Sequence, residues 1–401
     1  MRWLILSLLA LLSACAAPRP HVAVLAGPPP LTILVSIDGF RPDYLHKGLT
    51  PTLDRLADTG VSAAMRPSFP TKTFPNHYAL VTGLRPDRNG IVGNKMEDPA
   101  RPGELFTMAT KDAYWWQQSE PIWITAERAG IPTATLFWPG SEVALGNVRP
   151  HDWLPYDKAE PGRMRVDQLL AWLRRPLAAR PGFATLYFDV VDENTHHHGI
   201  GSAEGIAAIR EVDGNVGYLT AELARSGIAA NLVIVSDHGM APSGPDRVVM
   251  LDTLANPADY RVIEDGANVS LYPRPGHEAA LERALVGRHD HVTCWKHDAL
   301  PARFHFGHNP RVAAIFCLPD EGWLVFATMP KAVDVGSHGY DNALRSMRAT
   351  FIANGPAFKQ GKRLPLFDNV DVYPLLRDLI GLPVAEDVDG TDAPFRKVLN
   401  R

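Results

Sequence analysis

The stretch LTILVSI at residues 31–37, which is followed by DGFR at residues 38–41, decides the fold class of this chain. A continuous run of β-branched and apolar residues is typical of a strand buried on both faces of a parallel sheet. Ligands of open α/β sheets gather at the carboxyl ends of the strands, so Asp38 lies where a functional residue is expected. Taken alone, such an aspartate can equally be a helix cap or a turn residue.

Further β-rich runs alternate with helical patterns along the chain. Strands are predicted at residues 61–65, 133–137, 183–188, 231–235 and 348–353, and helices at residues 51–57, 122–129, 164–173, 206–225 and 370–379. This alternation predicts an α/β fold with a doubly wound, mostly parallel sheet. The alternation of strands and helices stops over residues 241–335, where short mixed segments predict an inserted α+β subdomain. The predicted catalytic core therefore comprises residues 31–240 and 336–390.

The N-terminal segment is predicted to lie outside the fold. Arg2 precedes an apolar run at residues 3–12 that is too short to span a bilayer, which indicates a signal peptide. The run ends in LSAC, which is similar to a bacterial lipobox, so residues 1–15 are interpreted as a lipoprotein signal with Cys15 as the lipidated residue. A plain secretory signal cleaved near Ala16 is the alternative. Residues 16–30 are predicted to be a Pro-rich spacer. We expect an exported periplasmic protein, held at the outer membrane only through Cys15.

Composition narrows the possible partners. The chain has 401 residues, of which 46% are hydrophobic and 21% charged, and this suits one large α/β domain with an insertion. Its net charge is −4 and it has no basic run, so nucleic acid is not expected as a specific partner. Cys294 and Cys317 could form one disulfide in an oxidising compartment or remain two separate thiols.

The stretch PSFPTKTFPNHY at residues 67–78 has the features of an activated hydroxyl on a strand-to-helix turn. Pro70 and Pro75 stiffen the backbone on either side of Thr73. Asn76 is predicted to cap the following helix, and the N-terminus of a helix favours anions such as phosphate. Threonine is a weak nucleophile unless a base or a metal lowers its pKa, so this interpretation requires metal ligands elsewhere. The alternative is a buried loop without chemistry.

Candidate metal ligands follow several predicted strands or stand at the return to the core. They are Asp38, Asp192, His196, Asp237, His238 and His338. Each alone can be a cap, a solvated side chain or a core histidine, but all of them fall on the expected binding edge. Mixed aspartate and histidine sets without cysteine suit Zn²⁺, with Mn²⁺ as a looser alternative. The set exceeds what one tetrahedral zinc accepts, which predicts two Zn²⁺ ions arranged for displacement at phosphorus.

These motifs together resemble one enzyme family. The motifs are DGFR at 38–41, PTKTFPNH at 70–77, TGLRP at 82–86, FWPGS at 137–141 and SDHGM at 236–240. They are similar to those of the nucleotide pyrophosphatase/phosphodiesterase family in the alkaline phosphatase superfamily. The resemblance covers roughly residues 31–385 and implies a sheet of alkaline-phosphatase type. We expect a bacterial single-domain member that is a minimal catalytic unit.

The resemblance implies roles for particular side chains. Thr73 would be the nucleophile and would bind one zinc together with Asp38, Asp237 and His238. The second zinc would be held by Asp192, His196 and His338. The substrate contacts implied are Asn94 to a phosphate oxygen, and Phe74 and Tyr156 on the two sides of the nucleotide base. Many relatives have glycine where this chain has Thr195, so His197 and His198 remain alternatives to His196.

The predicted function is that of a two-zinc phosphodiesterase and nucleotide pyrophosphatase. It would release nucleoside 5′-monophosphates through a covalent nucleotidyl-threonine intermediate on Thr73. Diesters and phosphoanhydrides are expected over monoesters, because Lys72 is expected to point away from the site. Alternatives within the superfamily are a phosphomonoesterase, a phosphonate hydrolase and a lipid-headgroup phosphodiesterase. A surface lipoprotein that binds ligands without turnover is the alternative from another class.

Overall fold

The computed structural model describes residues 30–400 of the chain. The strands are β1 (Leu31–Ile37), β2 (Val61–Arg66), β3 (Met96–Glu97), β4 (Leu105–Phe106), β5 (Thr133–Leu136), β6 (Asp152–Leu154), β7 (Phe183–Phe188), β8 (Ala230–Val235), β9 (Ala241–Pro242), β10 (Val248–Met250), β11 (Tyr260–Glu264), β12 (Val269–Pro273), β13 (Gly287–His289), β14 (Val292–Lys296), β15 (Ile315–Pro319), β16 (Leu324–Phe326), β17 (Gly336–Ser337), β18 (Ala349–Asn354), β19 (Lys362–Arg363) and β20 (Phe367–Asp368). The helices are α1 (Pro51–Thr59), α2 (Thr73–Thr82), α3 (Pro86–Asn89), α4 (Ala113–Trp116), α5 (Ile122–Arg128), α6 (Gly162–Leu173), α7 (Val190–His198), α8 (Ala203–Arg225), α9 (Glu278–Leu285) and α10 (Val372–Leu379).

A nine-stranded mixed sheet forms the centre of the fold. Its strand order is β19-β2-β18-β8-β1-β7-β5-β6, and β20 also pairs with β2. Strand β1 lies in the middle and pairs in parallel with β7 on one side and β8 on the other. Strand β18 is antiparallel to both of its neighbours, β2 and β8. The predicted α/β class with a mostly parallel sheet is therefore confirmed.

Helices cover both faces of this sheet, as a doubly wound fold requires. Leu34 of β1 packs into a core that also contains side chains of α2, α5 and α10. The adjacent Ile33 and Val35 point to the other face, into a core shared with α1, α6 and α8. Full burial of one such side chain stabilises the fold by about 1.5–3 kcal/mol, which explains why apolar residues predominate in β1, although Thr32 and Ser36 are buried there too.

Most predicted elements are present, with ends that differ by a few residues. The long helix α8 begins at Ala203, three residues before its predicted start, because the Ser202 hydroxyl accepts a hydrogen bond from the backbone N–H of Gly205. The last helix begins at Val372, because residues 369–371 form a 3₁₀ turn in front of it.

Residues between the two predicted core segments build a second, smaller sheet. Its strand order is β11-β12-β15-β14-β13 and every pairing in it is antiparallel. Val269, Leu271 and Leu281 belong to a separate apolar core beneath it. Cys294 and Cys317 stand opposite each other on β14 and β15 and form a disulfide, which decides between the two alternatives left open by the sequence.

The predicted signal peptide and the lipidation site at Cys15 lie outside the described residues. The same holds for the predicted spacer, except for its last residue. Within residues 30–400, no helix has the length and apolarity needed to cross a membrane.

Candidate active site

The parallel strands deliver acidic and imidazole side chains to one edge of the central sheet. Asp38 follows β1, and the Asp237-His238 pair follows β8. Helix α7 follows β7 and carries both Asp192 and His196. Strand β18 runs in the opposite direction, so the segment that precedes it, with His338, returns to the same edge. The six predicted metal ligands therefore meet, although they come from distant parts of the chain.

The first group of possible ligands consists of Asp38, Asp237 and His238, with ligand atoms within 4.8 Å of one another. The His238 Nε2 atom lies 3.0 Å from Asp237 Oδ2 and 3.5 Å from Asp38 Oδ1. The Thr73 hydroxyl oxygen lies 3.4 Å from the same Nε2 atom. All three ligand side chains are buried, so we call this set the buried group.

The second group consists of Asp192, His196 and His338, again with ligand atoms within 4.8 Å of one another. Asp192 Oδ2 lies 3.5 Å from His196 Nε2, and Asp192 Oδ1 lies 3.7 Å from His338 Nε2. We call this set the rim group, since two of its side chains are only half-buried. Of the three consecutive histidines, the structure brings His196 into the group, whereas His197 is exposed and contacts Asp334.

The two groups adjoin each other. The rings of His238 and His338 are stacked, with centroids 3.5 Å apart and an interplanar angle of 14°. Burial lowers the pKa of His338 well below its usual value, and the neighbouring His238 and His196 imidazoles lower it further. A neutral imidazole is the form that binds a metal ion.

Backbone carbonyls fix the orientation of all three candidate histidine ligands. The Nδ1–H donors and their acceptors are His238 to Gly239 O at 2.9 Å, His196 to Gly336 O at 2.8 Å and His338 to Thr71 O at 2.8 Å. Because a carbonyl oxygen only accepts, each Nδ1 carries a proton, and each Nε2 is the ring nitrogen that faces the carboxylates. This arrangement is typical of histidines that bind metals.

The carboxylates of the site leave acceptor atoms unsatisfied. Among the described residues, the buried oxygens Asp38 Oδ1, Asp192 Oδ1 and Asp237 Oδ2 have no hydrogen-bond partner. Burial raises the pKa of Asp38 well above its usual range, and the nearby Asp237 and Asp192 carboxylates raise it further. Burial acts in the same direction on Asp237, but the His238 and His77 imidazoles outweigh it and lower the pKa of that carboxyl. Buried carboxylate oxygens without donors fit cations, so the residues present suit metal ions.

The hydroxyl of Thr73 stands at the start of α2, and the prediction that Asn76 caps this helix is wrong. The helix begins at Thr73, which places Pro75 at its third position, where a backbone N–H has no partner within the helix. Asn76 is buried inside the first turn and donates to Pro70 O at 3.0 Å and Lys72 O at 2.9 Å. Thr73 itself is thus the residue at the positive end of the helix.

A cavity of about 490 Å³ opens beside Thr73 and contains the predicted substrate-binding residues. Asn94, Phe74 and Tyr156 all line it. The Asn94 side-chain oxygen accepts a hydrogen bond of 3.0 Å from the backbone N–H of Phe74, so this bond does not use its amide N–H groups. The Tyr156 hydroxyl donates to the Asp189 carboxylate, which holds the ring at the cavity wall. Lys72 does not line this cavity, as expected.

Sequence reasoning missed several side chains that support the site. The Tyr187 hydroxyl donates to Asp38 Oδ2 at 2.6 Å, and the side chains of Lys111 and Lys158 reach the cavity wall. Tyr187 is the penultimate residue of a buried strand. A tyrosine there could have been predicted to reach the site, because a buried tyrosine hydroxyl usually has a hydrogen-bond partner. The two lysines lie in irregular segments whose position in space follows from tertiary packing alone.

A mixed α/β sheet that brings two Asp/His groups and a threonine hydroxyl to one edge is the layout of a hydrolase able to hold metal ions. The family model described as type I phosphodiesterase / nucleotide pyrophosphatase matches residues 32–341. The chain belongs to this family of phosphodiesterase and pyrophosphatase hydrolases.

Animal relatives are similar over most of this chain. The Xenopus laevis bis(5′-adenosyl)-triphosphatase enpp4 is 36% identical over 360 residues, which cover 88% of this chain and 78% of that protein. Family member 1 of the ectonucleotide pyrophosphatases/phosphodiesterases from Rattus norvegicus is 37% identical over 371 residues, but the match covers only 41% of its length.

Solved structures of family member 5 share the fold. The human protein superimposes with a TM-score of 0.88 at 33% identity, covering 92% of this chain and 100% of that one. An inactive variant of the murine protein in complex with AMP superimposes with the same TM-score, 0.88, also at 33% identity over 92% of this chain and 100% of that one. These neighbours agree with the predicted sheet of alkaline-phosphatase type.

Proposed function

We propose that this protein is a two-zinc phosphodiesterase and nucleotide pyrophosphatase that cleaves nucleotides through a covalent bond to Thr73. The observation that carries the proposal is the position of the Thr73 hydroxyl, 3.4 Å from His238 of the buried group and on the wall of the cavity. A threonine needs an activating group within this reach to act as a nucleophile.

Asp38, Asp237 and His238 would hold one Zn²⁺ together with the Thr73 oxygen, and Asp192, His196 and His338 would hold the other. When bound, the ions would lower the pKa of a coordinated hydroxyl or water and offset negative charge on phosphate oxygens. Three unsatisfied carboxylate oxygens and three imidazole rings oriented with Nε2 toward them support this assignment.

The chain's own groups would direct the displacement. The Thr73 hydroxyl would lose its proton to water, and its oxygen would form a new P–O bond while the bond to the leaving oxygen breaks and releases the alcohol or phosphate leaving group. Hydrolysis of the resulting nucleotidyl-threonine would return the hydroxyl and release a nucleoside 5′-monophosphate. The positive end of α2 and the amide N–H of Asn94 would stabilise the charge on the phosphate.

The aromatic walls of the cavity support a nucleotide as the substrate. Phe74 packs against Trp116, with ring centroids 5.9 Å apart, and Tyr156 stands edge-on to Phe137 at 5.5 Å. Both rings therefore have fixed orientations, which favours stacking on a planar base. The AMP complex of the murine relative lends support to a nucleotide in this fold.

A paired rate assay tests this proposal. Bis-p-nitrophenyl phosphate and p-nitrophenyl phosphate would be compared on the zinc-loaded protein, before and after chelation. We expect a strong preference for the diester that is lost with the metal and restored by added zinc. A preference for the monoester would keep the metal site but indicate a phosphatase. Activity toward neither ester would leave the lipoprotein without turnover as the better explanation.

Export, lipidation at Cys15 and bacterial origin remain predictions from residues 1–15, and the relatives reported above are animal proteins. We propose that residues 241–335 act as an inserted subdomain of the catalytic core. Metabolic labelling with a radioactive fatty acid would test the anchor, and Cys15→Ser is the control that should lose the label.

A further inference from the structure

A carboxylate from the small antiparallel sheet lies close to the residue that precedes Thr73 at the edge of the central sheet. Glu264 is the last residue of β11, and its Oε1 atom lies 3.6 Å from the Nζ atom of Lys72. Lys72 immediately precedes Thr73, and the side chains of Lys72 and Glu264 are only 11% and 12% exposed. Partners this buried hold each other in place more firmly than a solvated surface pair does.

A β-bulge directs Glu264 toward the turn. The pairing of β11 with β12 shifts register between Val262 and Glu264. Such a shift re-aims the side chain at the bulge, and bulges of this kind are frequent beside active sites. Earlier on the same strand, Arg261 instead pairs with Glu97 at the surface, so the two ion pairs of β11 differ in burial and direction.

The same carboxylate also lies beside the segment that carries Asn94. A Cβ atom placed on Gly93 would lie 3.3 Å from Glu264 Oε2, so the backbone of that segment packs closely against Glu264. Glu264 thus stands between the residue before Thr73 and the residue before Asn94. Those two segments are also joined directly, by the hydrogen bond from the Phe74 N–H to Asn94.

We propose that Glu264, from the small antiparallel sheet, is a positioning residue that fixes the position of Thr73 relative to Asn94. This inference rests on the proposed function, because it assigns Thr73 and Asn94 their roles. Glu264 acts through Lys72 and the backbone at Gly93 and does not touch the substrate. Its removal therefore lowers the rate of the chemical step and leaves substrate binding and metal content in place.

The test compares Glu264→Gln, Lys72→Met and the double variant with wild type in the zinc-loaded full chain. Glu264→Gln keeps the shape of the side chain and removes only its charge. We expect kcat for bis-p-nitrophenyl phosphate to fall about tenfold, since small misplacements of reacting groups are costly. KM and bound zinc should stay at the wild-type values. The double variant should be no slower than the slower single variant, because the two residues act as one unit.

Arg261→Gln is the matched control, because it breaks the other ion pair of β11 and should leave kcat unchanged. Hydrogen–deuterium exchange gives a readout that is independent of turnover. We expect faster exchange in peptides covering residues 70–78 and 91–96 of Glu264→Gln, and wild-type exchange there in Arg261→Gln.

Unchanged kcat or unchanged exchange in Glu264→Gln would overturn the positioning role, as would equal losses in Glu264→Gln and Arg261→Gln. A Lys72→Met defect confined to KM would also overturn it, because Lys72 would then contact the substrate. Wild-type protein without diesterase activity would refute the proposed function instead, and the exchange data would still decide whether Glu264 orders the two segments.

Discussion

The two candidate metal groups are made of the same residue types but are built differently. In the buried group, Asp38 and Asp237 follow adjacent central strands and their side chains are 2% and 0% exposed. In the rim group, Asp192 and His196 share one helix and are 18% and 19% exposed. His338 completes the rim group from a distant segment and is 7% exposed.

Because of its burial, the first group belongs to the core of the fold as well as to the site. The buried group is enclosed by further polar contacts, such as the Tyr187 hydroxyl on Asp38 and the backbone N–H of Gly39 on Asp237 at 3.2 Å. Losing one of its members leaves buried charge without a partner. The rim group faces the cavity, so water can replace a lost contact. We therefore expect both groups to matter for activity, and the buried group alone to matter strongly for folding.

The largest effect is expected at the hydroxyl that adjoins the buried group. Thr73→Ala should lower kcat for the diester by at least about a thousandfold, because alanine has no oxygen to form the proposed bond to phosphorus. Zinc content should change little, since three other ligands remain in that group. Thr73→Ser is the matched control and should keep measurable activity. Diester turnover by the alanine variant at the wild-type rate would refute the nucleophile assignment.

The next largest effect is a difference in folding stability between variants of the buried group and variants of the rim group. In metal-free protein, His238→Ala should lower the free energy of unfolding by about 3 kcal/mol, because it leaves the buried Asp237 carboxylate without its imidazole partner. His196→Ala should cost less than about 1 kcal/mol, because its pair with Asp192 is partly solvated. Both should abolish diesterase activity. Urea denaturation measures the difference, and the exposed His197→Ala serves as control for both readouts. Equal destabilisation by His238→Ala and His196→Ala would break the distinction between the groups.

Metal should be removed from the rim group before it is removed from the buried group. The rim group is open to the cavity, so a chelator should take zinc from it first, and metal content should fall from about two ions per chain to about one before the second is lost. Activity should disappear in the first step. Metal analysis at increasing chelator concentration measures this. Loss of both ions in a single step would contradict the proposed difference in access.

The smallest effect is a dependence of zinc binding on pH. The pKa of Asp38 and that of Asp192 are both raised, in each case first by burial, so both carboxyls hold a proton to higher pH in the metal-free fold than in the unfolded chain. The folded state then binds more protons than the unfolded state above the usual carboxyl pKa, and the stability of metal-free protein should fall as pH rises through that window. Zinc must displace these protons, so its affinity should rise with pH. Calorimetry in buffers of different ionisation enthalpy should detect proton release on binding, and a binding constant independent of pH would contradict this.

Much of the fold and of the site could be predicted from sequence because both depend on where strands end. The apolar run before Asp38 determines its place on the sheet edge, and the same holds for Asp237. What the sequence could not supply came from tertiary contacts. The carbonyl groups that orient His196 and His338 come from distant segments. The Tyr187 hydroxyl on Asp38 and the ion pair between Lys72 and Glu264 likewise join segments that lie far apart in the chain. The wrong prediction of a cap at Asn76 shows the limit of local rules, because its amide instead donates to backbone carbonyls of the turn that precedes the helix.

The proposed covalent bond between the nucleotide phosphate and Thr73 is tested most directly by trapping it. The zinc-loaded protein would be mixed with a nucleotide p-nitrophenyl ester, quenched in acid within the first turnover and digested for mass spectrometry. We expect a nucleotidyl group on the peptide that contains Thr73, and its absence from Thr73→Ala. Rapid turnover with no adduct on that peptide, or an adduct on another residue, would contradict it.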